Sequence, residues 1–209
     1  MILTYIKSFL EFLKKLVAKK SSEPPRPQAP IEASKSTIEL WESCEIKPGR
    51  SLEIAADVII MNRNKEKYKA VEARTNVPWY FIACLHAREA SLNFKTCLHN
   101  GDPLPGPTTH VPRGRGPFDS WESAAVDALK LDGLDKIKDH EIPTLLQAAE
   151  KFNGMGYKKR GLLSPYVWSY TTHYERGKYV ADGKFDPNAV DRQIGVAAYL
   201  KYMKKEGII

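Results

Sequence analysis

Hydrophobic positions recur at helical spacing through most of this chain. In the first twenty residues Ile2, Ile6, Phe9, Leu10, Leu13, Leu16 and Val17 fall on one face, and Lys7, Glu11, Lys14 and Lys15 on the other. The pattern predicts an amphipathic helix over residues 1–20. Lys7, Glu11 and Lys14 interrupt its apolar positions, so the segment fits neither a secretory signal nor a membrane span. A basic amphipathic helix suits a membrane surface, a groove on a partner protein, or the chain's own domain. Residues 21–37 carry Pro24, Pro25, Pro27 and Pro30 with few large apolar side chains, which predicts a Pro-rich linker. The folded domain is expected over residues 38–209.

Within that domain Leu52, Ile54, Ala55, Val58, Ile59, Tyr68 and Val71 give a helical period across residues 50–75. The polar run NRNKEK in its middle favours a break into two helices. Pro78 fits the first turn of the next helix, which ends near Ala90 and is apolar nearly all round until Arg88 and Glu89. DSWESAAVDALKLDG sets Asp119 and Glu122 at capping-box spacing and stops at Gly133. IPTLLQAAEKFNG puts Leu145, Leu146, Ala149 and Phe152 on one face and stops at Gly154. For the last helix Asp186 is the expected cap, Pro187 the first turn and Gly207 the stop. Residues 97–118 and 157–186 show little helical signal, and loops this long in a compact domain are more often functional than idle. The expected architecture is mainly α, with long loops or a small hairpin.

Charge and composition narrow the chemistry. A net charge of +7 and a pI near 9.2 imply attraction to polyanions: nucleic acid, acidic membrane or anionic wall polymer. No helix-turn-helix, zinc-finger or RNA-recognition signature appears, so nucleic acid is not an expected partner. The three cysteines, Cys44, Cys84 and Cys97, lack C-x-x-C spacing, and their odd number argues against a disulfide framework. Cys84 reads as a small core residue. A Cys/His nucleophile drawn from Cys84 or Cys97 with His86, His99 or His173 has no supporting constellation. His99 and His110 have no ligand partner at i, i+4 spacing, so no metal and no cofactor are expected.

Glu89 is the residue that matters most. Ile82 and Leu85 lie seven and four positions before it and share its helical face. In one reading the helix surfaces there, and Glu89 is solvated or paired with Arg88 or Arg74. In the other it sits at the edge of a low-dielectric pocket, where its charged form is disfavoured and it can donate a proton. Sequence pattern leaves both open.

Several segments resemble the lysozyme-like superfamily. HAREASLNF is similar to the E-S-x-F/N segment in which a helix ends in the catalytic Glu. KYKAVEARTNVPWYFIACLHARE resembles the helix–Pro–helix lead-in of phage- and bacterial-type lysozyme and transglycosylase domains. AAEKFNGMGY resembles the A-Y-N-A-G motif of lytic transglycosylases, with Phe152 in place of the usual Tyr. LHNGDPL and SPYVWSYTTHY are similar to segments of bacterial and phage proteins of a lysozyme family. The likeness covers about residues 55–205. It departs where NFKTCLHNGDPL replaces the Gly-Leu-Met-Gln continuation of transglycosylases. It departs again where Asp102 and Thr108 or Thr109 follow Glu89 at longer spacing than in phage-type lysozymes.

The resemblance implies a lysozyme-like α+β domain and a muramidase cutting the MurNAc–GlcNAc β-1,4 bond, with Glu89 as general acid. Asp102 would be the second carboxylate, activating water or stabilising the oxocarbenium-like transition state. NGDP is also a turn sequence that favours Asp for local hydrogen bonding. The nearest alternative is a lytic transglycosylase giving 1,6-anhydroMurNAc ends; another is a non-catalytic glycan-binding or structural module. By the same resemblance Asn153 and Gly154 lie along a glycan cleft, although both also suit a helix end. Tyr166 and His173 come from an aromatic-rich loop whose rings suit sugar faces, while Trp168 fits a core equally well. The implied partner is the peptidoglycan glycan strand. The implied place is the periplasm or cell wall, reached by phage-type release or held at a membrane surface through residues 1–20.

Overall fold

The computed structural model describes residues 36–209. The expected helix over residues 1–20, and the linker as far as residue 35, lie outside these residues. The last linker positions belong to the domain. Ser36 caps helix α1 (Thr37–Ser43) in a capping box with Glu39, and Leu40 and Trp41 turn inward.

The break expected within NRNKEK is present. Helix α2 (Ser51–Arg63) ends at Asn64, and α3 (Lys65–Thr75) begins directly after it. The Asn64 side chain donates to the Ile60 carbonyl at 2.9 Å, which competes with helix continuation. Ile54, Val58 and Met61 of α2 are buried, whereas Leu52 and Ile59 face solvent. Asn76 closes α3 in the left-handed conformation, and Pro78 stands as the cap of α4 (Trp79–Ala90), one position before its first turn. Phe81 to Arg88 are all buried, so α4 is enclosed on every side. Its neighbours include α2, α3 and the C-terminal helix.

Helix α5 (Trp121–Leu131) starts one residue later than the capping-box spacing suggested. Ser120, not Asp119, is the cap: its backbone is extended and its hydroxyl accepts the Ser123 amide at 3.2 Å. Helix α6 (Ile142–Asn153) stops at Gly154 as expected. A short helix α7 (Pro165–Trp168) follows, then the antiparallel hairpin of β1 (Lys178–Ala181) and β2 (Lys184–Asp186), which pairs Tyr179 with Phe185.

The last helix, α8 (Val196–Lys205), does not begin at Asp186–Pro187. Asp186 ends β2, and its carboxylate accepts the Asn188 amide at 2.8 Å. Residues 187–195 stay irregular because they carry Asp191 into the interior and seat Gly195 against α7. A Cβ on Gly195 would come within 2.5 Å of the Val167 carbonyl and 2.7 Å of the Ser169 amide. Gly207, at φ +66, ends α8.

The architecture is therefore mainly helical, eight α-helices with one two-stranded antiparallel sheet among the described residues. One large core runs through it, with Ile82 and Leu85 of α4 fully buried beside Tyr68, Leu129, Leu146 and Leu200. Each such side chain contributes about 1.5–3 kcal/mol through removal from water. No helix of the described residues is long and apolar enough to cross a membrane.

Candidate active site

The C-terminal turn of α4 points two adjacent side chains at different environments. Glu89 is half-buried, and its Oε1 accepts a hydrogen bond from the Tyr166 hydroxyl at 2.8 Å. Burial pushes its pKa up. The Tyr166 hydrogen bond and the Arg88 charge pull it down, the charge of Asp132 pushes it up, and the net shift is upward.

Arg88, the residue best placed to cancel that shift, is committed elsewhere. Its Nη2 lies 2.9 Å from Asp191 Oδ2, in a pair whose side chains are 6% and 4% exposed. Its guanidinium sits over the Tyr166 ring, 4.7 Å from the centroid. Arg74 is exposed on α3. Glu89 is thus neither simply solvated nor ion-paired.

Tyr166 is held by the start of α7. Buried Ser164 accepts from the Asn153 side chain at 3.4 Å, tying α7 to the end of α6. Together with the hairpin these elements enclose a cleft of about 470 Å³, whose lining includes Arg88, Asn153, Gly156, Tyr157, Tyr166, Lys178, Tyr179 and Gln193. The Tyr166 hydroxyl links Glu89 to this cleft. Tyr157 and Tyr179 meet edge to face at 5.0 Å, and Arg160 donates to the Tyr179 hydroxyl at 2.9 Å. Asp191 completes the floor, accepting from Arg88, from Lys178 at 3.3 Å and from the Gln193 amide at 3.2 Å. Burial raises its pKa, but the Arg88 charge and these hydrogen bonds outweigh that and hold it below the usual carboxylate range.

Among the expected site residues, then, Tyr166 and Asn153 line the cleft, and Glu89 joins them through its hydrogen bond with Tyr166. The others lie elsewhere. Gly154 is the C-cap of α6, at φ +96 with open space beside it, and the glycine in the cleft wall is Gly156. His173 packs against α1, its Nε2 3.0 Å from the Leu40 carbonyl and 3.2 Å from the Ser43 hydroxyl, its ring edge-on to Trp168. Trp168, Tyr170 and Tyr174 are buried, so the aromatic-rich loop mostly builds core and not a sugar-binding face.

Asp102 is 3% exposed and serves its own loop. Oδ1 accepts from the Thr109 hydroxyl at 3.1 Å and the His110 ring at 2.5 Å; Oδ2 accepts from the Thr109 and His110 amides at 2.7 and 2.9 Å. The His110 amide and ring, then Thr109, hold the carboxyl far below its ordinary range. With two bonds on each oxygen, no lone pair is left to take a proton from water. Thr108 is likewise bound within the loop, to Pro112 and the Arg115 amide. The carboxylate that acts electrostatically on Glu89 is instead Asp132, just past α5.

Sequence reasoning missed Tyr157, Tyr179, Gln193 and Asp191. The alternating KYVADGKF around Asp182–Gly183 was a hairpin signal that could have located Tyr179. Nothing local marks Asp191 or Gln193. The three cysteines are buried and free, and burial pushes the Cys44 thiol up to about 11 and those of Cys84 and Cys97 upward too. None is a ready thiolate. His99 pairs with Asp127 at 2.9 Å, and Arg115 binds the same carboxylate through two nitrogens, which clamps loop 97–118 onto α5. Among the described residues no group of three or more His, Cys, Asp or Glu is arranged to hold a metal ion. No protein-family model matches this chain, and neither a curated protein nor a solved structure does.

Proposed function

We propose that the protein cleaves the glycan strands of peptidoglycan at the MurNAc–GlcNAc β-1,4 bond, with Glu89 as general acid. The observation that carries this reading is the half-buried Glu89 with a raised pKa, hydrogen-bonded to Tyr166 of the cleft wall while its neighbouring arginine is committed to Asp191. Breaking a glycosidic bond requires a proton on the leaving oxygen and stabilisation of an oxocarbenium-like transition state. Tyr166 occupies Oε1 of Glu89 as a donor, which favours the proton on Oε2. The segments that resemble those of the lysozyme-like superfamily support the same role. The +7 charge would help retain the protein on anionic wall polymer, in the periplasm or cell wall. Phage-type release, or attachment to a membrane surface through residues 1–20, would bring it there.

A specific observation favours a non-hydrolytic route. The muramidase reaction by the two-carboxylate scheme asks for a second group to position water, and Asp102 has no free lone pair. A lytic transglycosylase needs one carboxylate and no positioned water, and its products end in 1,6-anhydroMurNAc. Digestion of purified peptidoglycan, with mass spectrometry of the released muropeptides, tests both. Reducing MurNAc ends made by the wild type and not by Glu89→Gln indicate hydrolysis; ends lighter by one water indicate the transglycosylase. Equal product from wild type and Glu89→Gln removes Glu89 from the chemistry.

A further inference from the structure

We infer that Arg88 and Lys178 form a binding site for a carboxylate carried by the cleft's ligand. Arg88 is more than nine-tenths buried, yet Asp191 engages only one of its three guanidinium nitrogens. Nε and Nη1 are buried with no acceptor in reach among the described residues. Buried donors are almost always satisfied, and an orphaned pair on one charged group calls for a partner from outside the described residues. Arg88 is also one of the residues that line the cleft.

Charge specifies the partner further. Lys178, whose side chain is 32% exposed, approaches Asp191 from the hairpin side at 3.3 Å. Two cations therefore share one buried carboxylate, leaving an excess positive charge at the cleft floor. Asp182, the other acidic residue of the lining, is exposed at the hairpin turn. A neutral acceptor would satisfy the N–H groups but not the charge; a carboxylate does both. The cleft is large enough for a sugar residue with a substituent. On the glycan-cleavage reading, on which the identity of the ligand rests, that carboxylate is either the lactyl group of muramic acid or one on the attached peptide.

The test measures binding to the full chain bearing Glu89→Gln, which prevents turnover, by titration calorimetry or protein-observed NMR. The probes are N-acetylmuramic acid and its methyl ester, then a muramyl peptide with a free terminal carboxylate and its amide. The charged member of at least one couple is expected to bind roughly tenfold more tightly than its neutral counterpart. The couple that shows the gap identifies the source of the carboxylate. Lys178→Met should erase the gap and Lys178→Arg should restore it, each variant first checked by circular dichroism for a native fold. Equal binding within both couples, no binding of any probe, or a gap untouched by Lys178→Met overturns the proposal. A charge preference in a protein that cuts no glycan would keep this site and sink the cleavage reading. Cleavage by the wild type without any charge preference would do the reverse.

Discussion

Asp191→Asn should be among the most destabilising conservative changes in this domain, and worse than Arg88→Met. Asp191 accepts from Arg88 at 2.9 Å, Lys178 at 3.3 Å and the Gln193 amide at 3.2 Å, in a pair that is 6% and 4% exposed. Asn keeps the shape but strands a buried guanidinium that already has two unsatisfied nitrogens, with Lys178 alongside. Removing one partner of a buried ion pair costs about 3–5 kcal/mol. For a domain of this size that lowers Tm by roughly 6–20 °C. Arg88→Met removes the orphaned donors with the charge and leaves Asp191 its bonds to Lys178 and Gln193, so its cost is nearer 1–3 kcal/mol. The double variant should lose less than the sum, by about 0.5–3 kcal/mol.

The pH dependence has a definite sign. The folded pKa of Asp191 is depressed below its unfolded value, so its contribution is present above the unfolded pKa and is lost as pH falls through the folded one. The gap between wild type and Asp191→Asn should be full at neutral pH and close in acid, below the ordinary carboxylate range. Urea unfolding followed by circular dichroism at both pH values measures all of this. A loss under about 1 kcal/mol for Asp191→Asn, a larger loss for Arg88→Met, or strict additivity refutes the reasoning.

Three further outcomes are expected. Tyr166→Phe removes a hydrogen bond that favours ionised Glu89, so Glu89 stays protonated to higher pH and the high-pH limb of glycan cleavage moves upward; a limb that moves down contradicts the assigned role. Gly195→Ala drives a methyl group into the Val167 carbonyl and the Ser169 backbone, which cannot yield as side chains do, and should cost about 1–3 kcal/mol or more. An unchanged Tm would show that α7 and α8 separate easily. Asp102→Asn should loosen residues 102–110, seen as faster amide exchange at Thr109 and His110, while glycan cleavage persists. Activity lost as completely as in Glu89→Gln would return Asp102 to the reacting pair.

The chain alone determined those features whose cause lies within a few residues. Apolar periodicity and the polar run at Asn62–Lys67 determined two helices where one pattern runs, and Gly154 and Gly207 marked their helix ends, because both signals act through adjacent backbone. The apolar lead-in to Glu89 raised a carboxylate at the edge of the core as one of two readings and left the choice open. Competition between near-equal local signals was beyond it: Asp119 and Ser120 both suit a cap, and Ser120 takes the position. Pro187 would have started a helix had residues 187–195 not been needed to carry Asp191 beneath Arg88. Tertiary structure alone decided what Glu89 can do. Arg88 could have paired with it, and the choice fell to Asp191, 103 residues away, while Tyr166 arrived from 77 residues away to hold the free carboxyl. Asp102 and His173 looked available for the same reason, since the partners that occupy an oxygen or a ring nitrogen are set by which surfaces meet, and burial turns that meeting into a pKa.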